Sequence, residues 1–250
     1  MGWIKALVKL VMQLRLLSWN IWGGKHIDEI VDFIGAYRPN IIALQEVVEN
    51  GDSNTAAEIA DQLNYNFAYF QAIGKNGNDL AQGNAILTSF PIEESKSHFL
   101  SDISLYKGTA ETEPRIAVEV KIRIDNKLLS IFSVHLAYSH KFQNSKMRDL
   151  QVDNLIKLIP SSYAILLGDF NSHPDSTYME RLIKVMKNAD SVLTEPTWTV
   201  YPFDYEGFQE TELRHRLDYI FTSKDIAVER FFIPFSKGSD HLPVSAIVII

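Results

Sequence analysis

Six short polar motifs interrupt strand-like apolar runs, and their residue types suit the hydrolysis of a phosphate ester. They are Trp19-Asn20, Gln45-Glu46, His135 within 133–136, Gly168-Asp169-Phe170-Asn171, Asp218 within 216–220, and Ser239-Asp240-His241. That chemistry needs a hard cation, a base for water and donors for charged oxygens. Glu46 can supply a carboxylate to Mg²⁺, which prefers oxygen ligands and keeps several waters. Asp169 can orient or deprotonate the attacking water. Asn20 and Asn171 can donate to phosphate or water without adding negative charge, and His135 and His241 can donate to phosphate oxygens. Asp218 can hold a histidine in one tautomer. Each motif alone is weak: an Asn or Asp after a strand is usually a turn or cap residue, and a lone motif match carries a high false-positive risk. The repetition of one placement along the chain is what carries the information.

The elements that must position these residues alternate from end to end. Residues 13–20, 41–45, 84–88, 116–124, 128–136, 164–167, 217–222, 227–233 and 244–250 read as strands. Helices are expected over 26–37, where Ile27, Ile30, Val31 and Ile34 recur at helical spacing, and over 54–63 and 144–159. Alternation of apolar with charged residues over 116–124 predicts a half-exposed strand, joined by a turn at 125–127 to its hairpin partner. Hairpins mixed with strand–helix–strand units suit two mixed sheets packed together with helices outside. No domain boundary is visible, so residues 12–250 read as a single catalytic domain. Residues 1–11 read as an N-terminal extension, either a short amphipathic helix or an upstream start with Met12 as the true beginning. Residues 194–212 read as a long functional loop.

Composition narrows the function classes. The 250 residues are 46% hydrophobic and 22% charged, which is ordinary for a globular chain. The absence of cysteine excludes disulfides, thiolate catalysis and cysteine-based zinc sites. A net charge of −7 argues against broad electrostatic binding to duplex nucleic acid, although a local basic strip would suffice. There is no transmembrane segment and no secretory signal, so the expectation is a cytoplasmic monomer.

In this order the six motifs resemble the endonuclease/exonuclease/phosphatase superfamily, over about residues 14–250. Gly-Asp-Phe-Asn at 168–171 and Ser-Asp-His at 239–241 are the most specific signals; 82–87 with Phe90-Pro91 is similar to a further strand region of the family. The resemblance implies an α/β four-layer sandwich of two mixed β-sheets with helices on the outer faces. It implies Mg²⁺, with Mn²⁺ as the alternative, held mainly by Glu46 with Asn20 and Asp240 nearby. Asp169 would prepare the water, assisted by Asn171. His241 would contact the scissile phosphate with Asp218 as its partner, His135 would also contact it, and Arg115 would either contact it or be an exposed strand-end charge. One position departs from the pattern: abasic-site endonucleases carry an acidic residue where this chain has Trp22. Trp cannot ligate a metal, so Trp22 either packs against the Gly23-Gly24 turn, the favoured reading, or stacks on substrate.

The resemblance leaves substrate open. A nuclease or phosphodiesterase leads, with a phosphodiester, possible in nucleic acid, as substrate. Lys141, Lys146, Arg148, Arg214, His215 and Arg216 fall near the expected site in sequence. Trp198, Tyr201, Phe203, Tyr205 and Phe208 could stack on bases or close a small core under their loop. The alternatives are a sphingomyelinase-like or inositol-phosphate phosphoesterase and, from another class, a non-catalytic binding module.

Overall fold

The computed structural model describes residues 12–73 and 82–250; the expectation for 1–11 lies outside the described residues. The elements run β1 (Gln13–Asn20), α1 (Ile27–Tyr37), β2 (Ile41–Asn50), β3 (Ser53–Asn54), α2 (Thr55–Leu63), β4 (Asn66–Ile73), β5 (Gln82–Thr88), β6 (Ile92–Phe99), β7 (Ile116–Ile124), β8 (Lys127–His135), α3 (Lys146–Leu158), β9 (Ala164–Asp169), α4 (Thr177–Val185), β10 (Lys187–Asn188), β11 (Phe203–Tyr205), β12 (Phe208–Glu210), β13 (Asp218–Thr222), β14 (Ala227–Phe232) and β15 (Val244–Ile249). Local chemistry sets the helix ends. Asn54 caps α2 by accepting the Ala57 N–H at 2.9 Å, and Ser145 caps α3 through the Arg148 N–H. Arg38 closes α1 in the left-handed region and returns its N–H to the Ile34 carbonyl; Pro39 follows, where a helix cannot continue.

Two mixed sheets form. One is seven-stranded with order β14-β15-β1-β2-β5-β4 and β3 paired to β2; the other is six-stranded with order β10-β13-β9-β8-β7-β6. Their inner faces meet in one core, where Leu14, Leu16, Ile41, Ala43 and Ile86 face Val118, Val120, Ile131, Ile165 and Leu167. The opposite face of the first sheet carries Leu17, Trp19, Ile42 and Leu44, covered by Ile30 and Ile34 of α1 and Ala56 and Ile59 of α2. Phe132, Leu166 and Phe221 of the second sheet are covered by Val152 and Leu155 of α3 and Tyr178 and Leu182 of α4. The result is the expected α/β four-layer sandwich of two mixed sheets with helices on the outer faces.

One strand expectation is corrected. β7 is not half-exposed: it is buried from Ile116 through Val120, and exposure appears only near its end, at Arg123. The reason is tertiary, since β7 lies between β6 and β8. Ala117 sits in the outer core, and Glu119 is sealed by His98 at 2.8 Å and Lys96 at 3.3 Å. The sequence reading had no counterpart for β4, β6, α4 or the β11–β12 hairpin. The hairpin lies inside 194–212, expected as a loop, while 172–193 carries no expected element, although Ser176 as cap and Tyr178, Met179 and Leu182 at helical spacing are a readable helix signal.

Candidate active site

The strand register carries the polar motifs to one edge of the sandwich. β1 and β2 are parallel, so Asn20 lies opposite Gln45 at their shared ends. β8 and β9 are parallel, setting His135 beside Asp169. β13 runs antiparallel to β9 and begins with Asp218 opposite Asp169. Glu46 reaches the cleft through a break in pairing: the β2–β5 register shifts between Leu44 and Val47, and Glu46 takes φ +55°. A bulge of this kind re-aims a side chain that the regular pleat would send elsewhere.

Asn20 is the hinge of the site. Its Oδ1 accepts the Trp22 N–H at 3.1 Å, which fixes the orientation of the amide. Its Nδ2 therefore donates to Glu46 Oε1 at 3.0 Å and Asp169 Oδ2 at 3.1 Å. As placed, Asn20 secures two carboxylates and turns no oxygen toward them. Ser239 Oγ donates to the Asn20 carbonyl at 2.6 Å and accepts the His241 N–H at 3.2 Å. Trp19 Nε1 donates to the His241 carbonyl at 2.8 Å, so β1 anchors the loop that carries Asp240 and His241.

Burial pushes the Asp169 carboxyl up to about 7, with Asp218 adding to it; His241, the Asn171 N–H and the Asn20 amide oppose the shift. His241 Nδ1 bonds Asp218 Oδ2 at 2.9 Å, and its Nε2 lies 3.7 Å from Asp169 Oδ2. Burial alone would discharge that imidazole, but Asp218, Asp169 and Asp240 outweigh it and hold its pKa well above the usual value. His135 is the opposite case: burial, then Arg115 and His241, drive its pKa well down, so it is neutral. Arg115 Nη1 meets His135 Nδ1 at 3.0 Å. Arginine can only donate, so His135 accepts at Nδ1 and carries its proton on Nε2. That Nε2–H lies 3.5 Å from Asp169 Oδ2 and 3.1 Å from the Asn171 amide nitrogen, which donates to the Leu136 carbonyl and has no lone pair to offer the Nε2 proton. Two donors sit side by side, a surface suited to a shared anionic acceptor.

Burial, and next the charge of Asp240, raise the Glu46 carboxyl, against the pull of Asn20, His241 and Arg115. Two oxygen-only donors repelling each other are a donor set that a hard divalent cation satisfies. Among the described residues, Asp169, Asp218 and His241 form a second buried group able to hold a metal, with ligand atoms all within 4.8 Å of one another.

These residues line a cleft of about 740 Å³ that includes Glu46, Arg115, His135, Asp169, Asn171, Asp240 and His241. Of the predicted site residues, Asn20 and Asp218 lie behind the wall. The expected basic strip does not form in the cleft. Arg148 is fully buried and spends its guanidinium on the Asn171, Gln143 and Phe142 carbonyls and on Ser139 Oγ. Arg216 is buried against Asp190 at 3.0 Å, and Arg214 pairs with Glu212 at 2.7 Å. His215 bridges Glu210 and His173, while Lys141 and Lys146 are exposed and do not line the cleft. The loop aromatics do close a small core: Trp198 with Phe142 and Leu217, flanked by Tyr138, Phe203 and Phe208. Trp22 packs on Tyr201 (centroids 5.6 Å apart) and under the Lys25 ammonium at 3.6 Å. Trp19 and Ser239 stand in the sequence motifs without an expected role, Trp198 (Nε1 to Asp240 Oδ2, 3.0 Å) stands there only as a stacking or core aromatic, and Glu113 (2.5 Å from Arg115) has no place in them. Their partners are distant or their types generic, so local sequence holds no signal for these roles.

Comparison with known proteins agrees with this fold. A search of the curated proteins by sequence finds no match. Solved structures share the fold. An endonuclease/exonuclease/phosphatase from Beutenbergia cavernae DSM 12333 superposes with TM-score 0.77 at 17% identity, covering 94% of this chain and 71% of that one. The human Nocturnin catalytic domain gives 0.69 at 21%, covering 94% of each. A mannosyl-6-phosphatase of Bacteroides thetaiotaomicron VPI-5482 gives 0.70 at 19%, covering 95% and 100%. The family model described as the Endonuclease/Exonuclease/phosphatase family matches residues 17–241, nearly the whole described chain, and the protein belongs to that family of phosphate-ester hydrolases.

Proposed function

We propose that the protein is a divalent-metal-dependent phosphodiesterase in which Asp169 activates the attacking water. The observation that carries this reading is a buried carboxyl poised at about 7 in one cleft with a charged imidazole and the neighbouring His135 and Asn171 donors. A general base works best when its pKa lies near the working pH. Asp169 takes a proton from water, whose oxygen bonds to phosphorus as the bond to the leaving oxygen breaks. The His241 imidazolium, held at Nδ1 by Asp218, turns Nε2 toward the phosphoryl oxygens. His135 Nε2–H, the Asn171 amide and Arg115 donate to the charge that develops there.

Glu46 and Asp240 would hold the cation, Mg²⁺ or Mn²⁺, with Asn20 orienting Glu46. Such an ion supplies charge neutralisation at a phosphoryl oxygen. The Asp169–Asp218–His241 group is the weaker metal candidate, because a charged imidazole presents protons in place of lone pairs. A non-catalytic module has little to recommend it, since a buried carboxyl raised to about 7 is costly to keep without use.

The test is hydrolysis of bis-p-nitrophenyl phosphate with Mg²⁺ or Mn²⁺ against a chelated control. Metal-dependent release of nitrophenol, lost in His241→Ala, is the expected result. A folded protein inert with every divalent cation overturns the proposal.

A further inference from the structure

The cleft is much larger than a phosphate and unevenly furnished. Its volume of about 740 Å³ is in the range of sites that enclose a drug-sized ligand. Around the catalytic end, among the described residues, its charged lining is Glu46, Glu113, Asp169 and Asp240 against the Arg115 guanidinium and the His241 imidazolium, and no lysine lines it. Arg115 is itself committed to Glu113 and His135. Arg115 and His241 both belong to the catalytic end, so among the described residues the next phosphate of a polyanion would find no further cation, and it would meet Glu113 instead. Strand-tracking nucleic-acid sites need the reverse, a positively charged groove along the backbone.

Beyond Asp240 the lining becomes aromatic. Trp198, tied to Asp240 through its indole N–H, is packed edge-on by Phe203 at 4.9 Å and Phe142 at 5.3 Å. Tyr138 meets Phe142 at 5.6 Å and Tyr205 at 6.0 Å, both edge-on. Trp198 and Phe142 are buried at the base. Tyr138, Phe203 and Tyr205 are the outer members, and Tyr205 is 40% exposed. The hairpin that carries Phe203 and Tyr205 is fastened by Glu210, which bonds His215 at 3.0 Å, and His215 reaches His173 at 2.9 Å. The wall is therefore an anchored surface continuous with the catalytic residues.

On the reading of the site as a phosphoesterase, we infer that its substrate is a small ester bearing a single phosphate and an uncharged flat ring, seated against Tyr138, Phe203 and Tyr205, and that polyanions are excluded. Tyr138, Phe203 and Tyr205 all line the cleft, and stacking on an aromatic side chain is tolerant of which ring it receives. The phosphate stays at Arg115 and His135 while the ring extends along the wall.

Inhibition of bis-p-nitrophenyl phosphate hydrolysis by matched phosphates tests this. Phenyl phosphate is expected to inhibit about tenfold more tightly than methyl phosphate, the low end of what one stacked ring contributes. The gap should close in Tyr205→Ala, an exposed position that folding tolerates, and in Tyr138→Leu, with melting temperatures recorded for both. KM for the diester should rise in both variants while kcat changes little. A short oligothymidylate should inhibit no better than phenyl phosphate, and its inhibition should respond weakly to salt. Equal inhibition by the phenyl and methyl esters, a gap that survives both substitutions, or tight salt-sensitive binding of the oligonucleotide each overturns the inference while leaving the phosphodiesterase reading intact. A wild-type protein with no diester hydrolysis removes that reading instead.

Discussion

At the scale of single residues, the site works by setting neighbouring titratable groups apart. Asp169 is raised to about 7 from its ordinary 3.8, His241 is raised and His135 lowered. One pH range therefore holds a usable base, a charged donor and a neutral donor together. Asp169→Asn is expected to cut turnover by about 10²-fold or more while leaving substrate binding largely intact; a nearly unchanged kcat removes Asp169 as the base. The same shift has a consequence for stability. A group that holds its proton more tightly when folded stabilises the fold fully below its unfolded pKa, and that contribution is lost as pH rises through the folded value. In chelator, the stability of Asp169→Asn relative to wild type should therefore improve from about pH 4 to about pH 7. Urea titrations showing a constant difference would mean that Asp169 is not perturbed. His241 owes its charge to its acidic neighbours, Asp218 foremost. Asp218→Asn should lower the His241 imidazole pKa, visible by NMR, and reduce turnover with it.

At the scale of elements, small irregularities aim these groups. Asn171 follows β9 at φ +47° and Glu46 interrupts β2 at φ +55°, positions that cost energy for residues other than glycine and that cluster at functional sites. Gly168 has the opposite reason. A Cβ there would stand 2.1 Å from the Val134 carbonyl oxygen, its partner in the β8–β9 pairing. Gly168→Ala must push the two strands apart and should cost about 1–3 kcal/mol in urea unfolding, with loss of activity because Asp169 is the next residue. Arg148, expected from sequence near the substrate, acts beneath the site. It links α3 to the carbonyl of Asn171 and to the 139–143 segment. Arg148→Met should therefore lower stability by about 2–4 kcal/mol, the scale of several buried acceptors left unpaired. Normal stability in that variant would show that these carbonyls find other partners.

At the scale of the molecule, the site straddles the two sheets. Asn20 and Glu46 come from the first, His135, Asp169 and Asp218 from the second, and Gln45 crosses between them to Ser133 Oγ at 3.1 Å. A cation bound at Glu46 and Asp240 favours the folded state over the unfolded one, by about 2.7 kcal/mol at a hundredfold excess over its Kd. Mg²⁺ or Mn²⁺ should therefore raise the melting temperature of the wild type and do so much less for Glu46→Gln. An equal rise in both would place the ion elsewhere, with Asp169–Asp218–His241 as the next candidate. Among the described residues no helix is long and apolar enough to cross a membrane.

The sequence by itself determined the parts whose signal is local. β1, α1 and the β7–β8 hairpin follow from periodicity and turn chemistry, and the candidate site residues could be picked out because each ends or interrupts an apolar run. Only the tertiary structure decided what depends on distance along the chain. Alternation over 116–124 suggested an exposed face, but burial belongs to whatever packs above a strand, and β6, β8 and α3 are not written in its pattern. Arg148 and Arg216 are indistinguishable in sequence from substrate-binding arginines until their buried partners are seen. The same holds for charge state. His135 and His241 are one residue type, made neutral and cationic by the groups that the fold sets beside them. Fields and desolvation act through space, and a linear sequence does not specify that space until the sheets have closed on each other.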